Sequence, residues 1–263
     1  MAKNENAVSA FLGAVYGGFL ATPTRLECWK KTASGTPISL ASSEPLSELK
    51  GKRPILLFGG VHGDEPEGVR LAEETLRSLL IWTRDGIPLA PWIVITCLNV
   101  DGYKANTRVN ARGVDLNRNY PSKDWSSKAD APRYSPGPSA GSEPEVQGIV
   151  ELIETFQPRL LIHCHSWEPC VVATGPYAQN DGVRLSQSSG YKLVPEIGYP
   201  TPGSLSRYGW HDKKLPVICI EERDGLKDLS SIWPRFDIGM REVFADLSMR
   251  DRSANSSPTE NEK

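Results

Sequence analysis

Four apolar runs constrain this chain more than any other feature: Pro54-Ile-Leu-Leu-Phe58, Trp92-Ile-Val-Ile-Thr-Cys-Leu98, Leu160-Leu-Ile162 and Val217-Ile-Cys-Ile220. A strand with one solvated face alternates apolar and polar residues. Continuous runs instead predict strands covered on both faces, as in a sheet with helices on either side. The runs end in Gly59-Gly60, Asn99-Val-Asp-Gly102, His163-Cys-His165 and Glu221. In open α/β sheets ligands bind beyond the carboxyl ends of the strands. The same feature therefore predicts the fold and the place to look for chemistry.

Helices are expected between the strands. Asp64 is positioned to cap one, with Pro66 in its first turn, Glu67 as capping-box partner, and Val69, Ala72, Leu76, Leu79 and Leu80 as its apolar face. Ser142-Glu-Pro-Glu145 repeats the capping pattern ahead of Val146, Ile149, Val150 and Ile153. A third helix is expected over Ile238 to Leu247. This alternation predicts an α/β fold, a single-domain mixed, largely parallel sheet with helices on both faces. The domain is expected to span 1–252, with 253–263 a disordered polar tail. Two stretches show no periodicity, Pro121 to Gly141 and Ala173 to Ser206. Long loops of this kind inside a domain are usually functional.

Charge and cysteine usage narrow the class. Lysine and arginine total 30 against 32 acids, a formal net charge of −2, which argues against a nucleic-acid partner. No apolar run approaches the roughly 18 residues that span a bilayer, so stable membrane association is not expected. Val8 to Ala21 is mildly apolar but diluted by Gly13, Tyr16, Gly17 and Gly18, a poor secretion signal. The five cysteines, an odd number set partly in apolar runs, do not form a disulfide framework and read as buried free thiols. These features favour a cytoplasmic protein, with the periplasm as the alternative.

The polar residues at the strand ends suit a metal. His62 and Glu65 follow the first strand, His163 and His165 end the third, and Glu221 ends the fourth. Two histidines and a carboxylate hold a catalytic zinc with one position open, and a further acid moves protons. His62 and Glu65 stand across one turn, although a helix start attracts an acid without any metal. Either histidine of the His163/His165 pair is equally compatible with a core role. Gly137-Pro-Ser139-Ala-Gly141 mimics a serine-hydrolase elbow but lacks the strand that such a nucleophile needs.

Six segments in order resemble the zinc metallocarboxypeptidase family. They are Gly59-Gly-Val-His62-Gly-Asp-Glu65, Asn99-Val-Asp-Gly102, Gly113-Val-Asp115-Leu-Asn117-Arg118-Asn119, Ser142-Glu-Pro-Glu-Val146, His165-Ser-Trp167 and Ile220-Glu221. The second departs from the family's turn by Val100 in place of proline. The resemblance implies a zinc carboxypeptidase-like fold and Zn²⁺ held by His62, Glu65 and His165, with His163 structural. It implies that Asp115 orients the first histidine, that Glu221 is the catalytic base and then acid, and that Arg108 stabilises the oxyanion. Asn117 and Arg118 are implied to bind the substrate's terminal carboxylate. Glu222 rivals Glu221 by adjacency, and Arg112 is the alternative to Arg108.

Within the family, the segments around Arg108 to Pro121 and Gly198-Tyr-Pro-Thr-Pro-Gly-Ser204 are most similar to bacterial murein tripeptide amidases. Those enzymes, which act in peptidoglycan recycling, release meso-diaminopimelate from L-alanyl-γ-D-glutamyl-meso-diaminopimelate. The resemblance thus implies a small peptide substrate with a free C-terminal carboxylate. An acyl-amino-acid deacylase of the aspartoacylase type, or a catalytically silent cell-wall-peptide binding module, would share parts of the pattern. Asp181, Arg184, Arg207, Asp212 and Lys213 are candidates to meet a charged substrate side chain. Tyr199 and Tyr208 fall where relatives carry a mobile tyrosine.

Overall fold

The four apolar runs lie side by side at the centre of an eight-stranded sheet. The computed structural model describes residues 23–245. The expectations for Val8 to Ala21 and for the tail 253–263 lie outside these residues. In chain order the strands are β1 (Thr24–Lys31), β2 (Pro37–Ser42), β3 (Ile55–Phe58), β4 (Trp92–Ile95), β5 (Leu160–Trp167), β6 (Cys170–Thr174), β7 (Lys192–Val194) and β8 (Val217–Arg223). Their spatial order is β1-β2-β4-β3-β5-β8-β6-β7. The central β4-β3-β5-β8 block is parallel, and antiparallel pairings at β2–β4 and β6–β8 join the outer strands to it.

Successive side chains of a strand point to opposite faces, which explains why the central runs are apolar throughout. Ile55 and Leu57 pack on one face with helices α1 (Pro66–Arg84), α4 (Gln179–Ser189) and α5 (Trp233–Phe244). Leu56 and Phe58 pack on the other with α3 (Pro144–Phe156). The short α2 (Val100–Ala105) follows β4 and its turn. Strands β4 and β5 flank β3 on opposite sides, and the helices leading into them cover opposite faces. Such a reversal opens a crevice at the carboxyl ends of β3 and β5.

Several expectations need correction. Neither capping box forms: Glu65 and Glu143, not Asp64 and Ser142, occupy the N-cap positions, and neither makes a side-chain cap. Glu67 instead accepts from Ser166 Oγ (2.8 Å) and the Leu226 amide (2.9 Å). Glu145 accepts from the Ala33 amide (3.3 Å). The last helix begins at Trp233, and Ile238 faces outward at 68% exposure. Leu247, its expected end, lies outside the described residues. The stretch Ala173 to Ser206 is not irregular throughout, since it contains α4 and β7. Its helix is masked in sequence by the polar run Gln179-Asn-Asp-Gly at its start, and the whole helix buries only Asp181, Gly182 and Leu185. All five cysteines are free, but only Cys164 and Cys219 are fully buried.

Candidate active site

Strand register assembles the site. Phe58 pairs with His163, and His163 pairs with Cys219, so the last residue of β3 is level with these two positions, and β5 and β8 run on past it. Two residues further, His165 stands opposite Glu221. Beyond β3 the chain turns at Gly59-Gly60, tied by the Leu98 and Asn99 amides to their carbonyls (3.0 and 2.8 Å). His62 emerges from this turn beside His165, with ring centroids 4.6 Å apart. Gly63 is required at the next position, because a Cβ there would lie 1.9 Å from the Gly102 carbonyl carbon.

The donor atoms converge. Glu65 Oε1 lies 2.7 Å from His62 Nδ1, and Glu65 Oε2 lies 2.8 Å from His165 Nδ1. The two Nδ1 atoms are 3.0 Å apart. His62, Glu65 and His165 are all buried, and one ligand atom from each lies within 4.8 Å of the others. Two imidazole nitrogens aimed at each other and at one carboxylate form a donor set of the kind that holds zinc. The opposite ring edge of His62 is fixed by Asp115, whose Oδ1 lies 3.0 Å from Nε2. Asp115 Oδ1 also accepts from the Asn117 amide (2.9 Å), and Oδ2 accepts from Arg108 Nε (2.9 Å). Such an outer carboxylate sets a ligating histidine's tautomer and orientation.

The electrostatics favour a positive charge at this point. Burial draws the His62 imidazole down, but Glu65 and Asp115 outweigh it and raise it to about 9. Burial pushes Asp115 and Glu65 up, yet the neighbouring histidines hold both well below the usual carboxylate range. A proton on His62 or a divalent cation among the three donors would answer the same field. Glu221 behaves differently. Burial raises its carboxyl, His165 works against that, and Glu65 adds to it, leaving it above the ordinary glutamate value. Its one hydrogen-bond donor among the described residues is the Cys219 thiol (3.2 Å).

The structure separates the rivals. Glu222 points to the opposite face of β8, where it accepts from Tyr191 Oη and from Arg235 Nη1 (3.1 Å). Glu221 and not Glu222 therefore lines the crevice. Arg112 is exposed and lies 3.9 Å from Glu143, whereas Arg108 lines the crevice and also reaches Glu65 Oε1 (3.1 Å). Asn117 and Arg118 line it too. Asn117 Oδ1 accepts from the Leu205 amide (3.0 Å), and Arg118 Nη1 donates to the Asn117 carbonyl (2.8 Å). Tyr208 is buried and stacked on Tyr120, while Tyr199 is half exposed at the crevice beside Trp167. Ser139 lies in a turn folded around Asn119 Nδ2 (3.0 Å to its carbonyl), away from any strand end.

His163 reads from the sequence as structural, whereas the place of Cys219 at the site is not anticipated there. His163 is buried, with Nδ1 2.8 Å from His165 Nε2 and its own Nε2 unpaired among the described residues. Cys219 adjoins Glu221 and completes a second possible metal set with His163 and His165. Period-two alternation along β5 and β8 was the signal, since it puts residues 163 and 165, and 219 and 221, on shared faces.

Comparison with known proteins gives a consistent picture. A model of the zinc carboxypeptidase family matches residues 23–214. Murein peptide amidase A of Escherichia coli K12 is 31% identical over 199 residues, covering 72% of this chain and 77% of that protein. The same-named protein of Vibrio campbellii is 28% identical over 230 residues, covering 83% and 86%. Among solved structures, the murein-tripeptide amidase of Escherichia coli O157 superposes with a TM-score of 0.66 at 26% identity, covering 88% of this chain and 94% of the other. Carboxypeptidase A of Helicoverpa armigera, at 18% identity and a TM-score of 0.69 over 89% of this chain and 71% of that one, shares the fold.

Proposed function

The chain belongs to the zinc carboxypeptidase family, and from that premise we propose that it hydrolyses the γ-D-glutamyl–meso-diaminopimelate bond of murein tripeptide. The observation that carries the chemistry is the register that sets the end of β3 beside His163 and pairs His165 with Glu221, which brings His62, Glu65, His165 and Glu221 to one crevice of about 1120 Å³. The amidase relatives support the choice of substrate. His62, Glu65 and His165 would hold Zn²⁺, which would supply Lewis acidity toward the scissile carbonyl and the attacking water.

The chain's own groups do the rest. A carboxylate oxygen of Glu221 takes a proton from the attacking water, the carbonyl carbon gains the oxygen, and the same proton passes to the leaving nitrogen as the C–N bond breaks. Burial raises the affinity of Glu221 for that proton, which suits it to hold and then release it. Arg108, fixed by Asp115 and Glu65, presents a cation to the negative charge that develops on the carbonyl oxygen. Asn117 and Arg118 hold the substrate's terminal carboxylate, so the substrate is a small peptide with a free C-terminus. Asp115 keeps the His62 ring in place. The free thiols suit a reducing compartment, the cytoplasm. Among the described residues no helix is long and apolar enough to cross a membrane.

The reading predicts free diaminopimelate from L-alanyl-γ-D-glutamyl-meso-diaminopimelate, abolished by chelation and restored by Zn²⁺. A zinc-loaded protein that releases none, but hydrolyses acetylaspartate or binds the peptide without turnover, would replace it with one of the alternatives. Arg118→Ala tests the clamp. It is expected to lower kcat/KM on the free acid about 30-fold relative to a C-terminally amidated analogue, the worth of a charge-assisted hydrogen bond. Equal losses on both substrates would remove Arg118 from that role.

A further inference from the structure

Diaminopimelate differs from lysine by a second carboxylate at the far end of its side chain, so an amidase that selects it needs a cation there. We propose that Arg207 is that cation, a specificity-determining residue for the distal carboxylate; the inference rests on the function proposed above. Of the five charged residues that the sequence offered for this task, Arg207 alone lines the crevice. Asp181 is buried on α4 between Arg159 (3.3 Å) and Arg184 (3.0 Å). Asp212 accepts from the Lys123 amide (2.8 Å), and Lys213 pairs with Glu154 (3.2 Å).

Arg207 is built in rather than loosely attached. It opens a π-helical turn, Arg207–Asp212, and its amide donates to Ser204 Oγ (3.3 Å). Its Nε is 3.3 Å from Asp124 Oδ2. Asp124 Oδ1 is in turn fixed by Ser122 Oγ (2.6 Å) and the Gly203 amide (3.3 Å). With Nε held, the two terminal nitrogens have no partner among the described residues. A guanidinium anchored at one edge offers the other to a planar anion in two parallel hydrogen bonds.

The position suits a second carboxylate on the same ligand. The segment that carries Arg207 packs on the residues proposed to hold the first: Leu205 donates to Asn117 Oδ1 (3.0 Å). Gly203, at φ +73°, lies so close that a Cβ would be 2.2 Å from the Arg118 carbonyl oxygen. Arg118 and Arg207 are thus two arginines on one wall of the crevice. Other cations line it, but Arg133 is mostly exposed, paired with Asp64 (3.5 Å), and Lys128 is exposed. An arginine that is half-buried and held from behind loses less freedom on binding than either.

The test compares tripeptides ending in meso-diaminopimelate, in its side-chain amide, and in lysine, for the zinc-loaded parent and Arg207→Gln. The parent is expected to prefer diaminopimelate over both analogues about 50-fold, and Arg207→Gln to bring that ratio close to one, the range for a hydrogen bond to a charged group. Zinc content and thermal unfolding report whether the variant is folded. If it is not, Arg207→Lys and the amide substrate on the parent give the same readout, with the preference reduced but present in the lysine variant. A parent that releases diaminopimelate with an unaltered ratio in Arg207→Gln, or a ratio that collapses only in Arg133→Gln or Lys128→Gln, overturns the assignment to Arg207 and leaves the amidase reading intact. A zinc-loaded parent that releases no diaminopimelate overturns both.

Discussion

Glutamine in place of Glu221 is expected to lower kcat for diaminopimelate release by about a thousandfold or more, the upper range for loss of a general acid–base group, while zinc content stays stoichiometric. Glu221 is not among the three convergent donors, so the variant keeps them. Glutamine preserves size, and its carbonyl still accepts from the Cys219 thiol. The sign of the stability effect follows from titration. A carboxyl whose pKa is raised by folding binds protons more tightly in the native state, so it costs stability as pH rises past its unfolded value. Removing that charge beside Glu65 relieves the cost, and in chelated protein at neutral pH Glu221→Gln should melt no lower than the parent. Rates, zinc analysis and a melting curve together check this. A larger kinetic loss in Glu222→Gln would reassign the base, although that variant breaks contacts to Tyr191 and Arg235 and should itself unfold earlier.

The apolar runs were legible because burial on both faces leaves a plain signature, and all four became the parallel centre of the sheet. The outer strands were not. In β1 the residues Thr24–Lys31 are only partly buried and include Arg25, Glu27, Lys30 and Lys31, which ion pairs and one covered face accommodate. Strand β7 is an edge of three residues. The capping boxes failed for a physical reason: the acids that local pattern would send to the backbone were claimed by tertiary partners, Glu67 by Ser166 and Leu226, Glu145 by Ala33 and Asn110.

At the site, motif order pointed to residues that the fold then gathered, and the resemblance, not local periodicity, preferred Glu221 and Arg108 to their rivals. Glu221 and Glu222 differ only in the face of β8 that each occupies. The sequence-adjacent choice between Arg108 and Arg112 turns on which one reaches Asp115. The substrate-side residues were least legible, because a charge in a long connecting segment carries no periodicity. Its place in the crevice wall, with the packing of Gly203 and Leu205 on Arg118 and Asn117, singles out Arg207.

His165→Ala is expected to abolish stoichiometric zinc binding and, with it, activity to below about a thousandth of the parent. The argument is one of shared donors. His62, Glu65 and His165 each present one atom to a common point, so losing one leaves two, fewer than the three that catalytic zinc sites use. The effect is readable without turnover. A ligand that binds only the folded state stabilises it by about 4 kcal/mol at a thousandfold excess over Kd. Added zinc should therefore raise the melting temperature of the chelated parent by several degrees and leave that of His165→Ala in place. The second possible set, His163, His165 and Cys219, shares His165 and predicts the same loss there. It parts from the first at the other positions. If zinc sits with His62 and Glu65, then His62→Ala loses the thermal shift and Cys219→Ala keeps it. The reverse pattern would move the metal to the thiol side and take the assignment of Glu65 as a ligand with it.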